Sequence, residues 1–251
     1  MVQEIFSRYE YKYIITKDIY YIFLEQIKDY TELDKNSIFN ENENFYTIMN
    51  IYYDTVDNLF NSELMRNQDF RQKLRMRVYR NALLEDKIFL ELKKKYFNRV
   101  YKRRTGILLK DAYNILHDDK INIELYKEKT TNHKILKEIF FFNHYFKLEP
   151  KSVLCYERQA FNGKYDKDLR ITIDKNLRCR NEDFRIEKGS NGIKFMPDNE
   201  YILEIKVNNS IPLWLSKILS ELQFRKSSFS KFYTSKCYNI SAEETMKTSG
   251  F

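Results

Sequence analysis

The chain has 251 residues, 43% hydrophobic and 16% aromatic, which excludes a disordered segment and provides for a buried core. Only 5 Gly and 3 Pro leave little room for linkers or low-complexity tracts, so one compact domain is expected. Lys+Arg number 44 against 36 Asp+Glu; the formal charge of +8 suits a polyanionic partner, although a Lys-rich composition alone gives the same figure.

In chain order, "MVQEIFSRYEYKYII" lacks the apolar stretch of a signal peptide and reads as a strand over roughly residues 4–15. Thr16 is placed to cap a helix carrying Ile19, Ile22, Phe23 and Ile27 at helical spacing, with Asp18 in its first turn. The polar run "DKNSIFNENENF" (34–45) reads as a surface loop, and "YTIMNIYYDT" (46–55) as a second strand. "RQKLRMRVYR" (71–80) is a third, and "KIFLELKKKYFNRVYKRRTGI" (87–107) is two strands joined by a turn near Phe97–Arg99. Residues 107–147 change to a helical period in "ILLKDAYNILHDD" and "NHKILKEIFFFNHYFK".

After Pro150 the strands resume, in "SVLCYERQAFN", "LRITIDKNLRCR" and "KFMPDNEYILEIKVN". "IPLWLSKILSEL" is an amphipathic helix with Pro212 at its start, "SKFYTSKCYNI" (230–240) is expected to be another, and the tail after Ala242 to be frayed. The class is α+β with many antiparallel strands.

No apolar run approaches the roughly 20 residues of a membrane-spanning helix. Cys155, Cys179 and Cys237 are widely separated and in no C-x-x-C arrangement. They read as reduced thiols of a cytoplasmic protein, with no disulfide framework or zinc site. His117, His133 and His144 are scattered through expected helices, so nothing supports a Ser-His-Asp or Cys-His mechanism.

Strand parity carries the functional signal. Successive side chains of a strand point to opposite faces, so Lys73, Arg75 and Arg77 share one face against Leu74, Met76 and Val78. Arg8, Glu10 and Lys12 likewise oppose Tyr9, Tyr11 and Tyr13, and Glu91, Lys93 and Lys95 oppose Leu90 and Leu92. Lys102 is co-facial with Arg104, Arg158 with Tyr156, and Arg170 with Thr172 and Asp174. Glu204 and Lys206 oppose Leu203, Ile205 and Val207. Each strand alone would serve as a solvated outer face. The set holds few Ser, Thr and Gln, and about one glutamate per strand among several cations. If the strands close into a barrel with the charged face inward, the lumen becomes a basic tunnel with a few carboxylates. Such a lumen is costly when empty, because its charges lose hydration and crowd one another. A phosphate chain would relieve both costs, and the carboxylates offer hard oxygen ligands to Mg²⁺ or Mn²⁺.

These segments, from "RYEYKY" through "YYDT", "KLRMRVY", "FLELKKK", "VYKRR", "YERQAF", "LRITID" and "ILEIKV" to "FSKFYTSK", resemble the triphosphate tunnel metalloenzymes, and within them the VTC-type polyphosphate polymerase domain. The resemblance covers nearly the whole chain and implies a single domain over residues 1–242 with a tail at 243–251. It implies a closed antiparallel β-barrel of about eight strands with helices packed outside. It also implies transfer of the γ-phosphate of ATP to a growing inorganic polyphosphate chain, assisted by Mn²⁺ or Mg²⁺. By this resemblance Lys12, Arg75, Arg77, Lys93, Arg158 and Arg170 are expected phosphate ligands, Glu204 the metal ligand and Lys206 its neighbour. Ser230 and Lys231 are expected to meet the terminal phosphate. Arg8, Lys73, Lys102 and Arg104 are placed by parity as further substrate contacts, Tyr156 as an orienting group, and Glu10 and Glu91 as further carboxylates for the metal.

The triphosphatase branch, the CYTH group, opens with Glu-x-Glu-x-Lys, where this chain has Arg8-Tyr9-Glu10-Tyr11-Lys12. That departure resembles the polymerase branch. The accessory SPX domain and membrane segment of eukaryotic polymerases are not expected in this sequence. Two rival readings stay open: a metal-dependent tri- or polyphosphatase of the same fold, and a non-catalytic polyphosphate- or nucleic-acid-binding module. The second is disfavoured because the tyrosines of the first strand lie opposite its charges, so no nucleic-acid partner is expected. The sequence leaves the acceptor, the preferred metal and the oligomeric state undetermined.

Overall fold

Period-two alternation makes each strand two-faced, and closing such strands on themselves buries both faces for different purposes. The computed structural model describes residues 5–38, 44–62, 69–97, 99–118, 120–231 and 234. Ten strands are found there: β1 (Ile5–Thr16), β2 (Thr31–Leu33), β3 (Tyr46–Asp54), β4 (Phe70–Tyr79), β5 (Lys87–Tyr96), β6 (Arg99–Leu108), β7 (Glu149–Gly163), β8 (Arg170–Arg180), β9 (Ile193–Lys194) and β10 (Glu200–Val207). The described α-helices are α1 (Lys17–Ile27), α2 (Lys35–Ile38), α3 (Leu109–His117), α4 (His133–Phe146) and α5 (Leu213–Glu221).

Eight strands close an antiparallel barrel in the order β7-β3-β4-β5-β6-β1-β10-β8, with β8 returning to pair β7. Short β2 and β9 extend the sheet beside β7 and β8. The β5–β6 hairpin turns at Phe97, which takes a left-handed φ of 49°. Thr16 caps α1 as expected, its Oγ1 accepting from Ile19 N–H at 3.4 Å.

The outward apolar faces form two packed layers. Leu74, Met76, Leu90 and Leu92 join Leu109, Ala112, Ile115 of α3 and Leu136, Ile139 of α4 in one core cluster. Tyr13, Ile171, Ile173, Leu203 and Ile205 join Phe23 and Ile27 of α1 and Leu215 of α5 in another. The helices thus cover the apolar side of the wall and leave the charged side facing in. Among the described residues, no helix is long and apolar enough to cross a membrane. Cys155 and Cys179 are buried free thiols; Cys237 lies outside the described residues.

One expectation is corrected. The run 34–45, read as a surface loop, contains α2, and both Asp34 and Ser37 are buried. Asp34 accepts from the Asn36 and Ser37 N–H groups at 3.0 and 3.1 Å, capping the turn. Its own N–H donates to the Ala160 carbonyl at 2.8 Å, and Ala160 N–H donates to Ser37 Oγ at 3.0 Å. The polar composition therefore reports a hydrogen-bonded clip on β7. Asp34 also pairs with Arg170. Asp34→Ala is expected to cost about 1–3 kcal/mol, read as a lower urea midpoint at unchanged slope.

Candidate functional site

The inward rows of seven barrel strands and one returning segment line a cavity of about 530 Å³. β1 contributes Arg8, Glu10 and Lys12, and β4 contributes Arg71, Lys73, Arg75 and Arg77. Lys93 and Lys95 come from β5, Lys102 from β6, Tyr156 and Arg158 from β7, and Glu204 and Lys206 from β10. Strand alternation alone brings these together, since every one of them holds the polar parity of its strand.

The returning segment is residues 227–231. Ser227 N–H donates to the Lys12 carbonyl at 2.8 Å, and Lys12 Nζ donates to the Phe229 carbonyl at 2.9 Å. Lys231 then reaches Asp174 Oδ2 at 2.7 Å and Glu204 Oε1 at 3.0 Å. Ser230 and Lys231 are thereby part of the lining; Thr234 N–H closes one helical turn on the Ser230 carbonyl at 2.9 Å. The rest of the helix expected over 230–240 lies outside the described residues.

Fourteen of the seventeen residues singled out from sequence line this cavity, and three do not. Glu91 is fully buried behind the cations, 2.6 Å from Arg75 Nε and 3.2 Å from Lys102 Nζ. Arg104 stands over the Phe89 ring, 4.8 Å from its centroid. Arg170 is drawn to Asp34 and to Asn162 Oδ1, the latter at 3.1 Å. Several residues to which sequence reasoning gave no site role belong to the site. Arg71 and Lys95 extend rows already noticed, and Asn50 and Tyr52 alternate against Met49, Ile51 and Tyr53 in a strand to which parity was not applied. Asn61 comes from a 3-10 turn and carries no sequence signal. Asp174 sits behind the lining, where Arg158 grips it through Nε at 2.6 Å and Nη2 at 2.7 Å.

A family profile for the VTC domain matches residues 7–238. The chain belongs to the VTC domain family. Among solved structures, the VTC barrel is similar to a proposed adenylyl cyclase from Hippeastrum described as having a dominant triphosphatase activity. Identity is 14% and TM-score 0.50, over 94% of this chain and 96% of that one. It is also similar to a proposed adenylate cyclase from Vibrio parahaemolyticus, at 14% identity and TM-score 0.45, over 93% and 98% of the two chains. At this identity the likeness is one of fold. Comparison with curated proteins finds no match.

Electrostatics of the VTC lumen divide into two behaviours. Burial would raise the Glu204 carboxyl, but Lys206, Lys231, Lys12 and Arg158 hold it well below the usual carboxylate range. Lys206 and Lys231 stand 2.9 and 3.0 Å away, Arg158 and Lys12 at 3.8 and 3.9 Å. Glu10 is likewise held ionised against burial, chiefly by Lys93 at 2.8 Å. Lys73, Lys102 and Lys206 are pushed down, whereas Asp174 and Glu204 hold Lys231 up against burial. Burial, with Lys12 and Lys93 nearby, pushes Lys73 down to about 8. Burial, with Arg77 and Arg75 nearby, pushes Lys102 down to about 7 despite Glu91. Tyr52 would be raised by burial, yet Arg75 and Arg77 bring its phenol down to about 8. Apart from that of Lys231, these shifts describe a lumen too positive for its own comfort.

A divalent cation suits part of this donor set. Glu204 raises the Glu10 carboxyl, and both carboxylates act on Lys206, so two hard carboxylates share one region of the lumen. Among the described residues, no group of three or more His, Cys, Asp or Glu could hold a metal ion. An ion held by one or two carboxylates and completed by substrate phosphates fits; an all-protein cage does not. Glu91 is spoken for by Arg75 and Lys102 and does not join that set.

The depressed lysines set a pH dependence. Their native pKa values lie below the unfolded value near 10.4, so between the two the unfolded chain binds more protons and stability rises with pH. The thermal midpoint of the free protein is expected to climb from pH 7 to pH 9. Saturating inorganic tripolyphosphate holds the lysines charged, so calorimetry should show its stabilising increment larger at pH 7 than at pH 9.

Proposed function

We propose that the VTC tunnel is a polyphosphate polymerase site that transfers the γ-phosphate of ATP to the end of a polyphosphate chain. The observation that carries this is the lining itself: twelve Lys and Arg against the two carboxylates of Glu10 and Glu204. Phosphoryl transfer is mostly positioning and charge stabilisation, which such a lumen supplies without protein covalent chemistry.

In this reading the triphosphate lies along the cations of β4, β5 and β7. Arg75, Arg77 and Arg158 offer planar forks to phosphate oxygens, and Lys12, Lys93 and Lys206 add point charges. Ser230 and Lys231 meet the terminal phosphate from the returning segment. Glu204, with Glu10 beside it, would hold the Mn²⁺ or Mg²⁺, which when bound neutralises charge on the phosphate oxygens. A terminal oxygen of the chain attacks the γ-phosphorus, the bond to the β–γ bridging oxygen breaks, and ADP leaves carrying that oxygen. The chain grows by one phosphate, and no proton has to be removed.

That last point favours a phosphate acceptor over water. Neither lumen carboxylate suits the activation of water, because Glu10 and Glu204 are both held far below the working pH by surrounding lysines. A phosphate terminus is already anionic near neutrality. The triphosphatase activity described for the Hippeastrum relative supports acceptance of a triphosphate by this fold.

Purified protein incubated with ATP and Mn²⁺ is expected to give ADP and long chains in equal phosphate count, followed by phosphorus NMR and gel electrophoresis. Free phosphate without chains would replace the polymerase by a hydrolase. Glu204→Gln and Arg158→Met are each expected to lower kcat by about 10²–10³-fold, the scale of losing one pre-placed electrostatic group.

A further inference from the structure

Arg75 and Arg77 stand side by side on β4 and are held in the same way, with one difference. Arg75 Nε donates to Glu91 Oε2 at 2.6 Å and Arg77 Nε donates to Asn50 Oδ1 at 2.8 Å. Each also gives one terminal nitrogen to a phenol, Arg75 Nη1 to Tyr52 at 3.3 Å and Arg77 Nη2 to Tyr156 at 3.1 Å. Both side chains line the cavity. The geometry of the two clamps matches, but one is backed by a carboxylate and the other by an amide.

Asn50 is fully buried, and its amide cannot turn around freely. Its Nδ2 donates to the Leu154 carbonyl at 3.2 Å, which forces Oδ1 toward Arg77. The backbone of β7 thereby fixes an acceptor on β3 that aims a guanidinium on β4. Glu91 cancels charge for Arg75 and Lys102 together, and its nearest approach to Arg77 is 3.9 Å.

Resting on the reading of the lumen as a phosphate site, we propose that Asn50 is a positioning residue for Arg77, and that its neutrality leaves Arg77 with its full charge for the phosphate chain. Arg77 is then the charge-bearing anchor of the pair. Arg75, sharing Glu91, contributes fork geometry more than net charge. A carboxylate at position 50 would keep the hydrogen bond and remove the charge.

The test uses inorganic tripolyphosphate, without divalent ions, as the titrant in calorimetry. Asn50→Asp is expected to weaken its binding by at least about tenfold, a modest share of what one uncancelled charge supplies at this range. Asn50→Ser removes the acceptor but adds no charge, so it is expected to weaken binding by about threefold, less than Asn50→Asp, while its thermal midpoint falls. A residue serving only the fold would give the reverse order, with Ser worse than the near-isosteric Asp, and that result overturns the proposal.

An Arg77→Met background gives a second reading. A buried carboxylate without its cation takes up a proton, so Asn50→Asp is expected to change binding there by less than about twofold. An equal loss in both backgrounds overturns the link to Arg77. Should the unaltered protein fail to bind tripolyphosphate at all, the lumen reading falls and this inference with it. Binding that Arg77→Met weakens and Asn50→Asp leaves alone sinks only the role of Asn50.

Discussion

An excess of like charge inside a closed wall is the constraint on which this structure turns. Twelve cations line the cavity, and four carboxylates, Glu10, Glu91, Asp174 and Glu204, are set among or behind them. The difference, twelve less four, is eight, as large as the formal excess of the whole chain. The rest of the sequence is balanced in formal charge, so the basic excess of the composition matches that of the site. Each buried carboxylate is shared by at least two cations, which is how so few of them make the empty lumen tolerable. What remains unpaid shows up in lysines that resist carrying a proton and a tyrosine that gives one up early.

The fold serves that lumen by separating two problems. Apolar parity is matched to amphipathic helices outside, so the wall gains much of its stability from α1, α3, α4 and α5, and a separate cluster that includes Ile48, Leu154 and Ile202 on the inward parity adds to it. The charged inward residues are then free to be poor choices for stability. The buried polar groups behind them, Asn50, Glu91 and Asp174, convert that freedom into fixed geometry, because each holds a guanidinium by its Nε. Arginine is suited to this use: one edge of its fork can be tied back while the rest stays presented.

Much of this was legible in the sequence, for a reason that is itself physical. Period-two alternation is a local signal, and it placed the rows of β1, β4, β5, β6, β7 and β10 before any pairing was known. What stayed hidden depends on contacts between strands distant in sequence. That Glu91 backs the cations and does not stand among them follows from its fully buried place beside Arg75 and Lys102, which parity does not report. Arg170 shares the charged parity of its strand, yet Asp34, from a stretch that composition marks as loop, draws it aside. Asn61 reaches the cavity from a single turn too short to have a pattern. The VTC family match accords with the order of motifs along the chain, and it says nothing of these second-layer partners.

The register of the barrel also shapes how the chain must be made. β1 pairs Lys12 with Glu204 of β10, so the first of the ten described strands is completed by the last. The β4–β5–β6 meander can form early from neighbouring segments. Until β10 arrives, its inner face stands open to solvent, showing Lys73, Arg75, Lys93 and Lys102 on a half-built wall. Closure of the barrel is thus also the step that withdraws these cations from open solvent.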